Sequence, residues 1–274
     1  MNVTLARGIG IAALALAGGI SSLLFQGDPA QASQNSVSVI RSGGGVSAAD
    51  ITAVVDRFRA DLGGANNGAN PPASSGRREI NWDGVPDAVA SPNAFPGNFF
   101  NTNSPRGAVF STPGSSLQVS ADSDNPTNTA ARFGNIDPSY VNEFSAFSPQ
   151  RLFTAVGSNV VDVHFFVPGT NTPATVRGFG SVFTDVELAN TTIEYFNVHG
   201  QSLGRFTVPP SGRSGGFSFL GVSFVNPTSQ ATGEIARVRI VNGNAALQGG
   251  RVDRLGVDLV VMDDFIYSEP IAAR

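Results

Sequence analysis

From residue 77 onward the apolar side chains recur at every second position in short runs, and the runs are broken by Pro-Gly, Asn-Pro, His-Gly and Asn-Gly steps. A period of two sends alternate side chains to opposite faces of an extended chain. The pattern predicts strands at 78–82, 108–111, 116–121, 151–155, 160–167, 174–186, 191–198, 203–208, 216–225, 235–241 and 257–267. No helical interval separates these runs, so parallel strands joined by crossover helices are excluded. The expected fold is all-β, an antiparallel sandwich or jelly roll in which two sheets each bury one face. Twenty Phe against 3 Tyr and 1 Trp suit such a core, because a phenyl ring fills space without a polar atom to satisfy. Val161, Val163, Phe165 and Val167 should face inward, with Asp162, His164 and Phe166 on the other side. In 174–186, Gly178-Phe-Gly180 permits a bulge or a close sheet-to-sheet approach.

The stretch before this region follows other rules. Arg7 precedes an 18-residue apolar run, 8–25, and Ala30-Gln31-Ala32 follows it. This is the order of a signal peptide, so residues 1–32 are read as an export segment cleaved after Ala32 and the protein as secreted or extracytoplasmic. The alternative is an uncleaved anchor, since 18 apolar residues just span a bilayer. No second apolar span follows, so no stable membrane span is expected after cleavage. Residues 33–46, rich in Ser, Asn and Gly, read as a flexible lead-in. Ser47-Ala-Ala-Asp50 then resembles a capping box, and Ile51, Val54, Val55, Phe58 and Leu62 recur at helical spacing up to Gly63-Gly64. That helix could dock a partner or pack on the sandwich. Residues 63–76 read as a linker, which leaves 77–270 as the β-sandwich domain.

Composition removes several chemistries. The chain has no Cys, so thiolate catalysis, disulfides and zinc-thiolate sites are excluded. Every one of its 17 cationic residues is Arg, which excludes Schiff-base and phosphate-loop lysines. A net charge of −4 gives no electrostatic reason to bind nucleic acid. His164 and His199 show no zinc-type spacing, and no Gly-x-Ser-x-Gly element is present.

A series of short motifs remains: Gly178-Phe-Gly180, Asn197-Val-His-Gly200, Phe219-Leu-Gly221 and the closing Asp263-Asp264-Phe265. In this order they resemble exported bacterial β-sandwich proteins of unassigned activity, many of which bear a PEP-CTERM sorting tail. The resemblance covers roughly residues 77–270, and no Pro-Glu-Pro tail with an apolar span is seen here. It implies a jelly roll similar to carbohydrate-binding modules and implies no catalytic residues.

The candidate site residues follow from charge and exposure. Asp263 and Asp264 are adjacent on a strand, so alternation sends them to opposite faces and leaves at least one poorly solvated. Such a carboxylate needs donors, an Arg partner or a hard cation such as calcium. Carbohydrate-binding jelly rolls hold calcium between their first and last strands, so the resemblance implies Asp83 and Asp87 as the other metal ligands. Asp122-Ser-Asp124-Asn125 starts like a calcium loop but lacks the following Gly and the distant Glu, and reads as a polar turn. Trp82 and Tyr140 are the candidate flat aromatics for a small sugar site. Asp185 and Glu187, two apart on a strand, would share a face as a glycosidase pair requires.

The expected function is a secreted, non-enzymatic β-sandwich that binds carbohydrate or another extracellular surface component, with calcium as a structural cofactor. The alternatives are a glycoside hydrolase or lyase on the same scaffold and a structural envelope or matrix protein.

Overall fold

The computed structural model describes residues 37–225 and 233–273. The export segment and its Ala30-Gln31-Ala32 site lie outside the described residues. In chain order the elements are β1 (Val37–Gly45), α1 (Ala48–Leu62), β2 (Arg77–Ile80), a short turn of 3-10 helix (Asp87–Val89), α2 (Phe99–Thr102), β3 (Ala108–Ser111), β4 (Ser116–Val119), α3 (Tyr140–Glu143), β5 (Phe153–Val156) and β6 (Val160–Phe165). There follow β7 (Ala174–Thr175), β8 (Gly178–Thr184), β9 (Thr192–Phe196), β10 (Ser202–Thr207), β11 (Phe217–Val225), β12 (Arg237–Val241), β13 (Val261–Ser268) and β14 (Ile271–Ala272).

The protein is mostly β, and its strands pair antiparallel in stacked sheets. One sheet runs β1-β11-β8-β13-β5-β4, with β2 also paired to β13; a second runs β10-β9-β12-β6-β3; β14 and β7 form a small ribbon. The alternation of β6 works as a sandwich requires. Val161, Val163 and Phe165 join Ile193, Tyr195, Val238 and Ile240 of their own sheet to Phe179, Phe183, Val222, Met262 and Phe265 of the facing sheet in one buried cluster. Each fully buried side chain of this kind contributes roughly 1.5–3 kcal/mol.

The central strands of the seven-stranded sheet, β8, β11 and β13, are buried on both faces. The stripe Ile51, Val55, Phe58 and Leu62 of α1 packs on its outer side against Val182, Phe217, Phe219 and Ile266. Where the helix crosses, glycine is needed: a Cβ on Gly180 would meet both Gly221 Cα and the Phe58 ring below 3.0 Å. The close approach expected of Gly178-Phe-Gly180 is therefore made by a helix rather than by the other sheet.

The lead-in expected at 33–46 needs correction. Residues 37–45 form β1, which pairs antiparallel with β11 along its whole length, Val37 opposite Val225 and Gly45 opposite Phe217. Its glycines serve close packing, since a Cβ on Gly45 would lie 2.3 Å from Asp50 Cβ and one on Gly44 would lie 2.5 Å from the Pro210 carbonyl. Residues 63–76 carry no helix or strand, yet they are tied down. The fully buried Arg78 forms a two-pronged ion pair with Glu269 and donates to the carbonyls of Gly68, Asn70 and Pro71. Among the described residues, no helix is long and apolar enough to cross a membrane.

Candidate functional site

The four aspartates expected to hold a metal do converge, but on protein donors. Three steps of β13, from Met262 to Phe265, span what two steps of β8 span, so a bulge interrupts the pairing at Asp263-Asp264. The strict alternation expected there is lost. Ser148 Oγ stands 3.0 Å from Asp263 Oδ1 and 2.9 Å from Asp264 Oδ1. Asp263 Oδ2 accepts the backbone N–H groups of Phe147 at 2.7 Å and Ser148 at 3.3 Å, and the Arg59 guanidinium reaches Asp264 at 3.4 Å. Asp83 Oδ1 accepts the N–H groups of Gln150 and Arg151, and Asp87 pairs with the Arg151 guanidinium.

All four carboxylates thus grip the segment 147–151 from two sides. Burial, with the neighbouring Asp264 charge, pushes the Asp263 carboxyl well above the usual range; burial also raises Asp264 and Asp83. Arg151 and Arg59 already supply positive charge beside Asp87 and Asp264, and among the described residues these four aspartates are not one of the carboxylate groups close enough together to hold a metal ion. The calcium expectation at Asp263, Asp264, Asp83 and Asp87 is replaced by hydrogen-bonded and Arg-paired aspartates. Asp122, from the polar turn, joins the same arrangement by pairing with Arg151 at 2.6 Å.

The two aromatic candidates are also corrected. Trp82 is 1% exposed and stacks on Phe153 at 4.1 Å between ring centroids, with Phe95, Phe100 and Phe265 edge-on. Its indole N–H donates to the Asp263 carbonyl at 2.8 Å, so its polar atom is satisfied inside the core. Tyr140 is fully buried among Phe133, Phe144, Leu152, Leu259 and Val261, and its hydroxyl bonds the Arg251 carbonyl at 2.6 Å. Neither ring offers a face to a sugar.

Asp185 and Glu187 do not share a strand face. β8 ends at Thr184, and Asp185 adopts a φ of 72°, a left-handed conformation that Asp tolerates better than most residues. Its side chain turns fully inward while Glu187 is exposed. There it meets carboxylates that no sequence spacing suggests. Oxygens of Glu143, Asp185 and Asp253 lie within 4.8 Å of one another, and so do those of Glu187, Asp253 and Asp258. Such acidic clusters could hold a metal ion.

The individual oxygens of this acidic centre are unequally served. Asp185 Oδ1 accepts the Gly215 N–H at 2.7 Å, and its Oδ2 is buried with no hydrogen-bond partner. Asp258 accepts the N–H groups of Glu187 and Leu188, Asp253 that of Leu259, and Glu143 the Ser214 hydroxyl. Burial and the charges of Glu143, Asp253 and Glu187 push Asp185 up to about 8; burial and the charges of Glu187, Glu143 and Asp258 push Asp253 up to about 6.

The outer face of the five-stranded sheet carries a second polar arrangement. The Arg237 guanidinium lies 3.7 Å from the Phe196 ring centroid and 2.8 Å from Asp162 Oδ1. Arg239 holds both oxygens of the same Asp162, and Arg205 grips Glu194 across the β9-β10 pair. Burial opposes ionisation of Asp162, but the hydrogen bonds from Arg239 and Arg237 outweigh it and hold the carboxyl below its usual range. His164 sits beside Arg237 in the strand register.

No family model matches this chain, and no curated protein matches it. Among solved structures it is similar to the enzymatically active domain of tailspike protein 4 of bacteriophage CBA120, at 13% identity over 68% of this chain, with a TM-score of 0.23. The chain spans 22% of the length of that protein. A likeness at this level carries no argument about activity.

Proposed function

We propose that the protein is an exported, non-enzymatic β-sandwich of the jelly-roll kind that binds carbohydrate through the outer face of the five-stranded sheet. The observation that carries the reading is the lattice of Asp162, Glu194, Arg205, Arg237 and Arg239 around Phe196. A sugar hydroxyl donates and accepts at once, so a face where carboxylates and guanidinium groups alternate at fixed positions can bond neighbouring hydroxyls in pairs. Phe196 adds an apolar ring against which the C–H face of a sugar can rest once Arg237 swings aside. The lattice is small, which suits one or two sugar units. The hydrolase alternative loses support, because Asp185 is fully buried while Glu187 is exposed.

The test is a broad panel of soluble glycans and cell-wall polysaccharides probed with the full chain. Phe196→Ala should weaken binding of any hit by about threefold to tenfold. Absence of binding across the panel would overturn the reading, and self-association or surface retention in its place would favour the structural envelope protein.

A further inference from the structure

We propose that Glu143, Asp185 and Asp253, extended by Glu187 and Asp258, form a calcium site that clamps three separate segments of the chain. Asp185 is the key to it. Its side chain is 0% exposed, and its Oδ2 has no hydrogen-bond partner. A carboxylate oxygen withdrawn from water without a donor is costly. What surrounds it makes the cost larger, because the nearest side-chain groups of the cluster, those of Glu143 and Asp253, are themselves acceptors.

The other acidic groupings of the molecule are answered differently. Asp162 faces two Arg side chains, Glu269 faces Arg78, and Asp263 faces backbone N–H groups. At the acidic centre five carboxylates gather, with Asp253 common to both trios. They come from the end of α3, the turn after β8 and the loop before β13. A hard cation placed among them would satisfy Asp185 Oδ2 and draw these three segments together.

The donor set selects the ion. It holds no imidazole and no sulfur, so the softer transition metals have nothing to prefer. Calcium takes six to eight oxygens in a loose arrangement, whereas magnesium demands a near-ideal octahedron. Carboxylates drawn from irregular turns meet the first requirement better. The site shares no residue with the sheet face around Phe196, so either proposal can fail without the other.

The experiment is calorimetric titration of the full chain with calcium chloride, together with thermal midpoints in chelator and in calcium. Calcium at about 100 times its dissociation constant should raise the midpoint by about 5–10 °C. Asp185→Asn keeps the shape and removes a ligand charge; it should fold without calcium at least as stably as the parent and lose the calcium response. Should that variant fail to fold, the exposed Glu187→Gln should fold and bind calcium more weakly. Absence of heat and of any shift in the parent would overturn the site and leave a proton to hold the centre together. A calcium shift of equal size in the parent and in both variants would overturn it too, as would an equal response to magnesium.

Discussion

The ring of Phe58 lies over Gly221 so closely that a Cβ there would stand 2.7 Å from it. Helix α1 reaches the seven-stranded sheet only because Gly180 and Gly221 leave this hollow. Gly221→Ala should therefore destabilise the fold by about 1–3 kcal/mol through overpacking. Gly84→Ala is the matched control, since a Cβ at Gly84 meets nothing within 4 Å and the change should stay within about 0.5 kcal/mol. Denaturant midpoints of the two variants decide the matter, and equal values would remove the helix-seat argument.

Arg78 and Glu269 bear on the loop that precedes β2. Both side chains are buried, and Arg78 Nη1 also donates to the carbonyls of Gly68, Asn70 and Pro105. Arg78→Met removes the counter-charge of buried Glu269, leaving it only the Asn67 and Ala73 N–H donors, and releases those carbonyls, so it should cost about 3–5 kcal/mol. Limited proteolysis should then cut within 63–76 faster than in the parent. An unchanged midpoint and cleavage pattern would show that the loop is held by something else.

Asp263 and Asp185 are both buried acids, yet they should respond oppositely to calcium. Asp263→Ala leaves the N–H groups of Phe147 and Ser148 without their acceptor, at a cost of about 1–3 kcal/mol. Its calcium-induced shift should nonetheless match that of the parent protein. Loss of the shift in this variant would return the metal to the closing strand.

His164 offers a pH test of the five-stranded sheet. Burial, and then the charges of Arg237 and Arg239, lower its pKa from 6.5 against the opposing pull of Asp162. The folded protein thus binds this proton less readily than the unfolded chain does. Its contribution to stability is complete above about 6.5, falls as pH drops below that value, and levels off below the folded pKa. An NMR titration should place the imidazole midpoint below 6.5, and His164→Gln should flatten this part of the stability profile. A midpoint above 6.5 would mean that Asp162 dominates.

Much of this architecture is legible in the sequence, where a physical rule is local. Alternation marks Val161, Val163 and Phe165 as the buried side of β6, and the 3.6-residue stripe marks Ile51, Val55, Phe58 and Leu62 as the buried side of α1. What is not legible depends on partners distant in the chain. Gly43, Gly44 and Gly45 look like a flexible lead-in until Val54, Pro210 and Asp50 are seen against them. Trp82 looks like a sugar platform until its N–H finds the Asp263 carbonyl, 181 residues away. Glu143 and Asp253 are not legible either, because no sequence spacing connects the end of α3 with the loop before β13. One hint was present: Asp185 directly follows a strand with both faces apolar, where a charge needs a reason.

The position of β13 bears on how the chain becomes a fold. It pairs with β8 on one side and with β5 and β2 on the other, so the middle of the larger sheet is supplied by residues 261–268. Until that segment arrives, β8, β5 and β2 lack it as a partner and the core lacks Met262, Phe265 and Tyr267. Completing the larger sheet therefore depends on long-range pairing, the kind that slows folding. A polypeptide built this way resists premature closure, and a truncation before residue 261 should leave an aggregation-prone fragment rather than a smaller sandwich.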